Sequence, residues 1–276
     1  MEKVIVWNPK CVPSHIETFS PSWKKPREFM QSIAPMIDYQ NMRVVISDSV
    51  GKELLKVHSK EYVKGVLSGA KPNGFGTRDT EAAESCLYTS GAMLKGVELA
   101  TSGISSCVPV SGFHHAGYDY GGGFCTFNGL ALAAVKAEEL GMQAGILDLD
   151  MHYGDGTVDI FSFIAKEYPH YTYGGTTFAE KGKGKLFLGK LPSILERVFG
   201  KCDVLLYQAG ADPHVNDPLG GCLTTGELRK RDQIVFEFCA SRGMPVVWDL
   251  AGGYQNPLSK VLEVHTNTFN EWVKAG

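Results

Sequence analysis

Residues 144–157, AGILDLDMHYGDGT, place Asp148, Asp150 and His152 at every second position behind an apolar run. Alternate side chains of an extended strand share one side, so this spacing predicts that all three project together where the run ends. Two carboxylates and a neutral imidazole suit a divalent cation such as zinc. The competing reading is a strand that ends in polar residues and turns at Gly154-Asp155-Gly156. Asp212, in Gly210-Ala211-Asp212, offers a third ligand. Asp150, His152 and Asp212 together leave a position for water, as a catalytic zinc site requires. Taken alone, Asp212 reads equally as the start of a turn before Pro213.

Proton transfer needs further groups. His114 and His115 are adjacent in GFHHAGYDYGGGFCTFNG, a segment rich in glycine and aromatic residues. It lacks the Lys-Ser or Lys-Thr ending of a phosphate loop. If both rings reach one water, each needs a carboxylate to orient it. Asp148 and Asp155 are free for that work once Asp150 binds metal. Tyr254 follows Gly252-Gly253, and a phenol on that tip can donate to a developing oxyanion. Surface imidazoles and an ordinary surface tyrosine are the plainer alternatives. Phe113, Tyr118, Tyr120, Phe124 and Phe127 either wall an apolar slot or belong to the core.

These residues must be positioned by the elements between them. Strands are predicted at Val4–Trp7, Arg43–Ser47, Cys107–Ser111, from Ala144, at Val204–Gln208 and at Pro245–Leu250. Helices are predicted at Arg27–Met36, His58–Leu67, Thr80–Ala100, Asn128–Leu140, Leu191–Phe199, Thr225–Arg242 with Thr225 as N-cap, and Thr266–Lys274. Residues 11–26 read as a surface loop, 70–79 as a loop rimming a site, and KGKGK at 181–185 as a solvated loop. Tyr168–Phe178 is aromatic and rich in Thr and Gly. Apolar strands alternating with helices indicate an α/β fold, a mostly parallel sheet covered on both faces. Every polar or Gly-rich stretch follows a strand's C-terminal end, where such sheets bind ligands. No linker or repeat divides the chain, so residues 1–276 are expected to form a single domain.

Composition bounds the function. The chain has 276 residues, 43% hydrophobic and 21% charged, with a formal charge of -3. That gives no basic signature for nucleic acid or acidic membranes. Seven cysteines without CxxC spacing suggest reduced thiols and a cytoplasmic setting. No signal peptide or bilayer-spanning run is evident. The oligomeric state is open, a homo-oligomer included.

The blocks SGFHHAGYDYGGGFCTFN, GILDLDMHYGDGT, YQAGADPHVNDPLGG and LAGGYQ, with HSKEYV near residue 58, resemble the signature blocks of the histone deacetylase and acetylpolyamine amidohydrolase superfamily, in order. The resemblance implies a three-layer arginase/deacetylase-type α/β/α fold and a zinc-dependent deacetylase acting on acetyl-lysine or a small acetylated amine. It implies Asp150, His152 and Asp212 as Zn2+ ligands, His114 and His115 as acid and base, and Tyr254 as the carbonyl-polarising residue. Asp148 would pair with His114 and help hold a structural K+, and Asp155 would pair with His115. Gly123 and Phe124 would line the acyl tunnel. Tyr153 departs from the family's usual second histidine, and Ile164 falls near a second potassium position.

Three rivals stand beside this. An arginase-like dinuclear hydrolase needs a further Asp after Asp212, where Pro213 and His214 stand. A non-catalytic acyl-amine binding protein is at odds with the full set of site residues. An acetylpolyamine amidohydrolase would carry a Glu near Leu219, the remaining substrate-binding candidate, unless Asp79 or a partner subunit supplies the carboxylate.

Overall fold

The computed structural model describes residues 1–18 and 20–276. Among them, one sheet holds seven strands: β1 (Lys3–Trp7), β2 (Arg43–Ile46), β3 (Ser105–Val108), β4 (Ala144–Asp148), β5 (His170–Thr172), β6 (Val204–Gln208) and β7 (Val246–Asp249). The order is β2-β1-β3-β7-β6-β4-β5, and every pairing is parallel. Parallel neighbours require crossovers. Helices α1 (Lys25–Gln40), α2 (Lys60–Leu67), α3 (Thr80–Ala100), α4 (Gly129–Glu139), α5 (Asp155–Phe163), α6 (Gly184–Phe199), α7 (Thr225–Ser241) and α8 (Ser259–Lys274) surround the sheet. They pack as two groups, α2 to α5 together and α1 with α6, α7 and α8. The result is a three-layer α/β/α architecture. Because helices cover both faces, β4, β6 and β7 are buried along their whole length. Only the edge strand β2 is largely exposed.

Strands β3, β7, β6 and β4 are consecutive in the sheet. The segments after Val108, Asp148, Gln208 and Asp249 therefore emerge side by side at one end. This adjacency brings motifs far apart in sequence to one place.

Several boundaries differ from expectation, each for a local reason. β3 ends at Val108, where Val110 N–H turns back to Val108 O at 2.8 Å. β4 ends at Asp148, so the pleat does not carry through Asp150 and His152, which sit on a bend. Gly154-Asp155-Gly156 opens α5 rather than a simple turn, and Asp155 in its first turn favours the helix dipole. Thr224, not Thr225, caps α7: its hydroxyl accepts from Glu227 N–H, and the Glu227 carboxylate answers Thr224 N–H. α8 starts at Ser259, ahead of the expected Thr266, and α6 starts at Gly184, within the expected lysine-glycine loop. The stretch 11–26 is not a surface loop. Cys11, Val12, Ile16, Ser20, Ser22 and Lys25 are buried; Phe19 lies outside the described residues.

Candidate active site

Asp150, His152 and Asp212 meet. Their ligand atoms all lie within 4.8 Å of one another, and no other such group of three occurs among the described residues. His152 Nδ1 is 3.2 Å from Asp150 Oδ1 and 2.9 Å from Asp212 Oδ2. Ligand bonds of about 2 Å put two ligands of one ion about 3–4 Å apart, so the spacing fits a zinc ion. Two further observations support the fit. Asp212 Oδ2 is fully buried yet accepts no well-formed hydrogen bond. Gly252 has φ +57, and a Cβ there would lie 2.4 Å from Asp212 Oδ1 and 2.9 Å from Asp150 Oδ2. Any side chain at 252 would fill the cradle between the carboxylates.

The trio is electrically tense without a cation. Burial and the adjacent Asp150 charge push the Asp212 carboxyl up to about 7. Burial acts the same way on Asp150, but the His114 charge and the His152 hydrogen bond outweigh it and hold this carboxyl low. The hydrogen bond to Asp150 and the nearby Asp212 carboxylate raise His152 to about 10. A dication between the carboxylates would replace that proton and relieve the repulsion.

Beside the trio stand two histidine–carboxylate pairs. His114 Nδ1 lies 2.7 Å from Asp148 Oδ2, and His115 Nδ1 lies 2.6 Å from Asp155 Oδ1. The two rings are 4.0 Å apart. His114 Nε2 points toward the trio, 3.6 Å from Asp150 Oδ1, while the His115 ring centre is 5.9 Å from that of His152. Burial disfavours charge on His114, but Asp148 and Asp150 outweigh it and raise its pKa to about 9. Burial and the charge of His114 lower the pKa of His115.

Tyr254 is half-buried, its ring 5.5 Å from Phe124, and its backbone N–H donates to Asp217 Oδ2 at 2.7 Å. It lines a slot with His114, Gly123, Phe124, Cys125 and Asp150. Gly123, at φ +52, allows its backbone against His115; a Cβ would meet His115 Cδ2 at 2.4 Å. Phe124 also adopts a positive φ, 66°, with its ring 6.0 Å from Phe75 on the loop expected to rim the site. Phe113 and Phe127 are core, and Tyr118 stacks on Phe163 away from the slot. Leu219 is exposed and does not line the slot; its N–H donates to Asp217 Oδ1 at 3.0 Å. Asp79 caps α3 through Oδ1, so its carboxylate is engaged there. His214 is no ligand: Nδ1 accepts from Asn216 N–H at 3.2 Å, leaving Nε2 to donate to Thr225 Oγ1 at 2.9 Å. Asp148 Oδ1 accepts from Gln208 Nε2 at 3.0 Å and Asp150 N–H at 3.2 Å.

Sequence reasoning missed the groups beneath the site. Lys25 is fully buried and donates to Gly252 O. Burial lowers its pKa to about 8, against the opposing charges of Asp212, Asp249, Asp150 and Asp217. Gln208 bridges Asp148 and Phe113 N–H. Arg231, buried on α7, donates to Leu149 O and Gly210 O and so ties the two metal-side segments together. A polar residue closing the apolar run VLLYQ was a signal for Gln208; Lys25 and Arg231 gave none.

Known proteins share this arrangement of sequence and fold. Residues 26–169 match the family described as the histone deacetylase domain. A probable deacetylase of Methanothermobacter thermautotrophicus is 29% identical over 239 residues, spanning 73% of this chain and 71% of that protein. Acetylpolyamine amidohydrolase of Mycoplana ramosa is 28% identical over 208 residues, spanning 63% of this chain and 59% of that protein. The HDA15 HD domain has the same fold, with a TM-score of 0.81 at 20% identity over 99% of this chain and 89% of that one.

Proposed function

This chain belongs to the histone deacetylase domain family, and we propose that it is a zinc-dependent amidohydrolase that splits N-acetylated amines, acetyl-lysine among them, into acetate and free amine. The observation that carries the reading is the meeting of Asp150, His152 and Asp212 beside two carboxylate-paired histidines and Tyr254. Asp150, His152 and Asp212 would hold Zn2+. Bound there, zinc supplies Lewis acidity, which polarises a carbonyl and acidifies water.

The remaining work belongs to the chain. His115, with its lowered pKa, is neutral near pH 7 and takes a proton from the attacking water. Asp155 fixes its ring through Nδ1, leaving Nε2 for that proton. His114, paired with Asp148 and aimed at the trio, stands where a positive charge would favour the negative charge developing on the substrate. Burial keeps the Tyr254 phenol protonated, so its O–H donates to the substrate oxygen. The leaving amine receives its proton from the histidine pair.

The test is hydrolysis of an acetyl-lysine peptide by zinc-loaded protein and its Tyr254→Phe variant. The variant should lose about 100-fold in kcat with zinc content unchanged. Equal kcat would remove Tyr254 from the mechanism, and no turnover by the parent protein would refute the function.

A further inference from the structure

A second cleft, of about 570 Å³, shares only Tyr254 with the slot beside the metal trio. Its size falls within the range of about 300–1,000 Å³ for small-molecule sites. Segments 214–218 and 254–256 form two walls, and the first turns of α8 form the third. Gln255 in this lining is 7% exposed, and its Nε2 is buried without a hydrogen-bond partner. An unpaired buried amide is costly, and the fold supplies nothing to satisfy this one. On α8, Lys260 Nζ and Glu263 Oε2 stand 4.0 Å apart, so neither charge is closely held by the other. Asn216 and Asn256 add two exposed carboxamides, and Pro218 and Val264 supply apolar contact. His214 has no nitrogen to offer, since Thr225 and Asn216 engage both.

We infer that this cleft binds a free α-amino acid with an apolar side chain, and that its occupancy acts on Tyr254. Lys260 answers the carboxylate and Glu263 the ammonium group. Carboxamides both donate and accept, so Asn216, Gln255 and Asn256 suit the remaining positions of a zwitterion. One cation and one carboxylate cancel, which matches neither a polyanion nor a polycation. The apolar side chain then rests on Pro218 and Val264. The link to Tyr254 is structural. Asn216 and Pro218 flank Asp217, whose Oδ2 accepts from Tyr254 N–H at 2.7 Å, and Gln255 and Asn256 follow Tyr254 in the chain. A ligand held between these segments and α8 loads the loop that carries the oxyanion donor. Binding is independent of the amidohydrolase reading; its effect on turnover rests on that reading.

Isothermal titration calorimetry of zinc-loaded protein with L-leucine should give a Kd of about 1 mM or tighter. 4-Methylpentanoate lacks the ammonium group and isopentylamine the carboxylate. Each should bind at least about tenfold more weakly, because a polar group of the site is then left unpaired. No binding of L-leucine, or equal binding of either analogue, overturns the inference, as does tighter binding of inorganic phosphate. Zinc itself can take an amino acid, and two variants on α8 separate that case. Lys260→Ala and Glu263→Ala remove exposed charges whose pairing contributes little to stability, so both should fold. Each should weaken L-leucine by at least about tenfold. An unchanged Kd in either variant overturns the site. With acetyl-lysine peptide, saturating L-leucine should change kcat by about fivefold or more, the low end of coupling between two sites. Competition at the metal would leave kcat alone, so an unchanged kcat overturns the action on Tyr254. If no peptide is cleaved, the hydrolase reading itself fails, and calorimetry still decides the site.

Discussion

The two histidine–carboxylate pairs have nearly the same length, 2.7 Å for His114–Asp148 and 2.6 Å for His115–Asp155. They differ in surroundings. Side-chain exposure is 3% and 1% in the first pair, against 23% and 56% in the second. Opposite pKa shifts follow, upward for His114 and downward for His115. A hydrogen-bond distance thus says little about what a dyad does. Neighbouring carboxylates outweigh burial at His114, whereas burial, with the charge of His114 second, prevails at His115. In the proposed mechanism, one carboxylate–imidazole motif used twice would give two rings with different proton affinities.

Breaking the buried pair should have the largest effect. Asp148→Asn keeps the shape of the side chain but removes the charge that holds His114, and Asp148 also anchors Gln208 and Asp150 N–H. We expect kcat/KM to fall by about 1,000-fold or more, by analogy with neutralised carboxylates in catalytic triads. Steady-state kinetics on acetyl-lysine peptide, with circular dichroism as a folding control, reads this. A loss under tenfold would mean that burial does not distinguish the pairs.

Asp155→Asn should cost only about tenfold, the lower end for groups that orient a working histidine. Water reaches this pair and can replace part of the lost interaction. A pH profile sharpens the contrast. Loss of Asp155 lowers the His115 pKa further, because its hydrogen bond and charge both raise it. The acid limb of kcat/KM should therefore move to lower pH. A move to higher pH would contradict His115 as the base.

A third histidine, His58, gives the comparison without a carboxylate. It is buried, Nε2 accepts from Asn128 N–H at 2.9 Å, and Nδ1 donates to Gly117 O at 2.8 Å. Burial lowers its pKa to about 4. The unfolded chain binds this proton near pH 6.5 and the folded chain only near 4, so stability falls as pH drops through that window. The difference corresponds to roughly 3 kcal/mol at full titration. His58→Gln should flatten urea-unfolding stability between pH 6.5 and 4.5, even if it lowers stability at pH 7. An unchanged slope would assign the acid sensitivity elsewhere.

Asp150, His152 and Asp212 stood out in the sequence as polar residues following apolar strands, but their grouping and the two histidine–carboxylate pairings were expectations from the family resemblance. The parallel sheet was legible from apolar strands alternating with helices. The strand pleat was not the device that aims Asp150 and His152, however. β4 stops at Asp148, and Arg231 on α7 holds the bend from below. Such support depends on which helix face meets the sheet, which residue types do not announce. The same holds for Lys25, whose facing carboxylates lie more than 120 positions away. The stretch 11–26, rich in polar residues and proline, reads as surface, yet Cys11, Val12, Ile16 and Lys25 within it are buried. Leu219, a substrate-binding candidate from its motif, is exposed and does not line the slot.

The central claim is that Asp150, His152 and Asp212 seat one catalytic cation. Chelator-stripped protein titrated with Zn2+ should regain peptide hydrolysis linearly up to one equivalent per chain and then level off. Asp212→Ala should bind no stoichiometric zinc under the same conditions. Full activity of the stripped protein, or a requirement for two equivalents, would contradict the account.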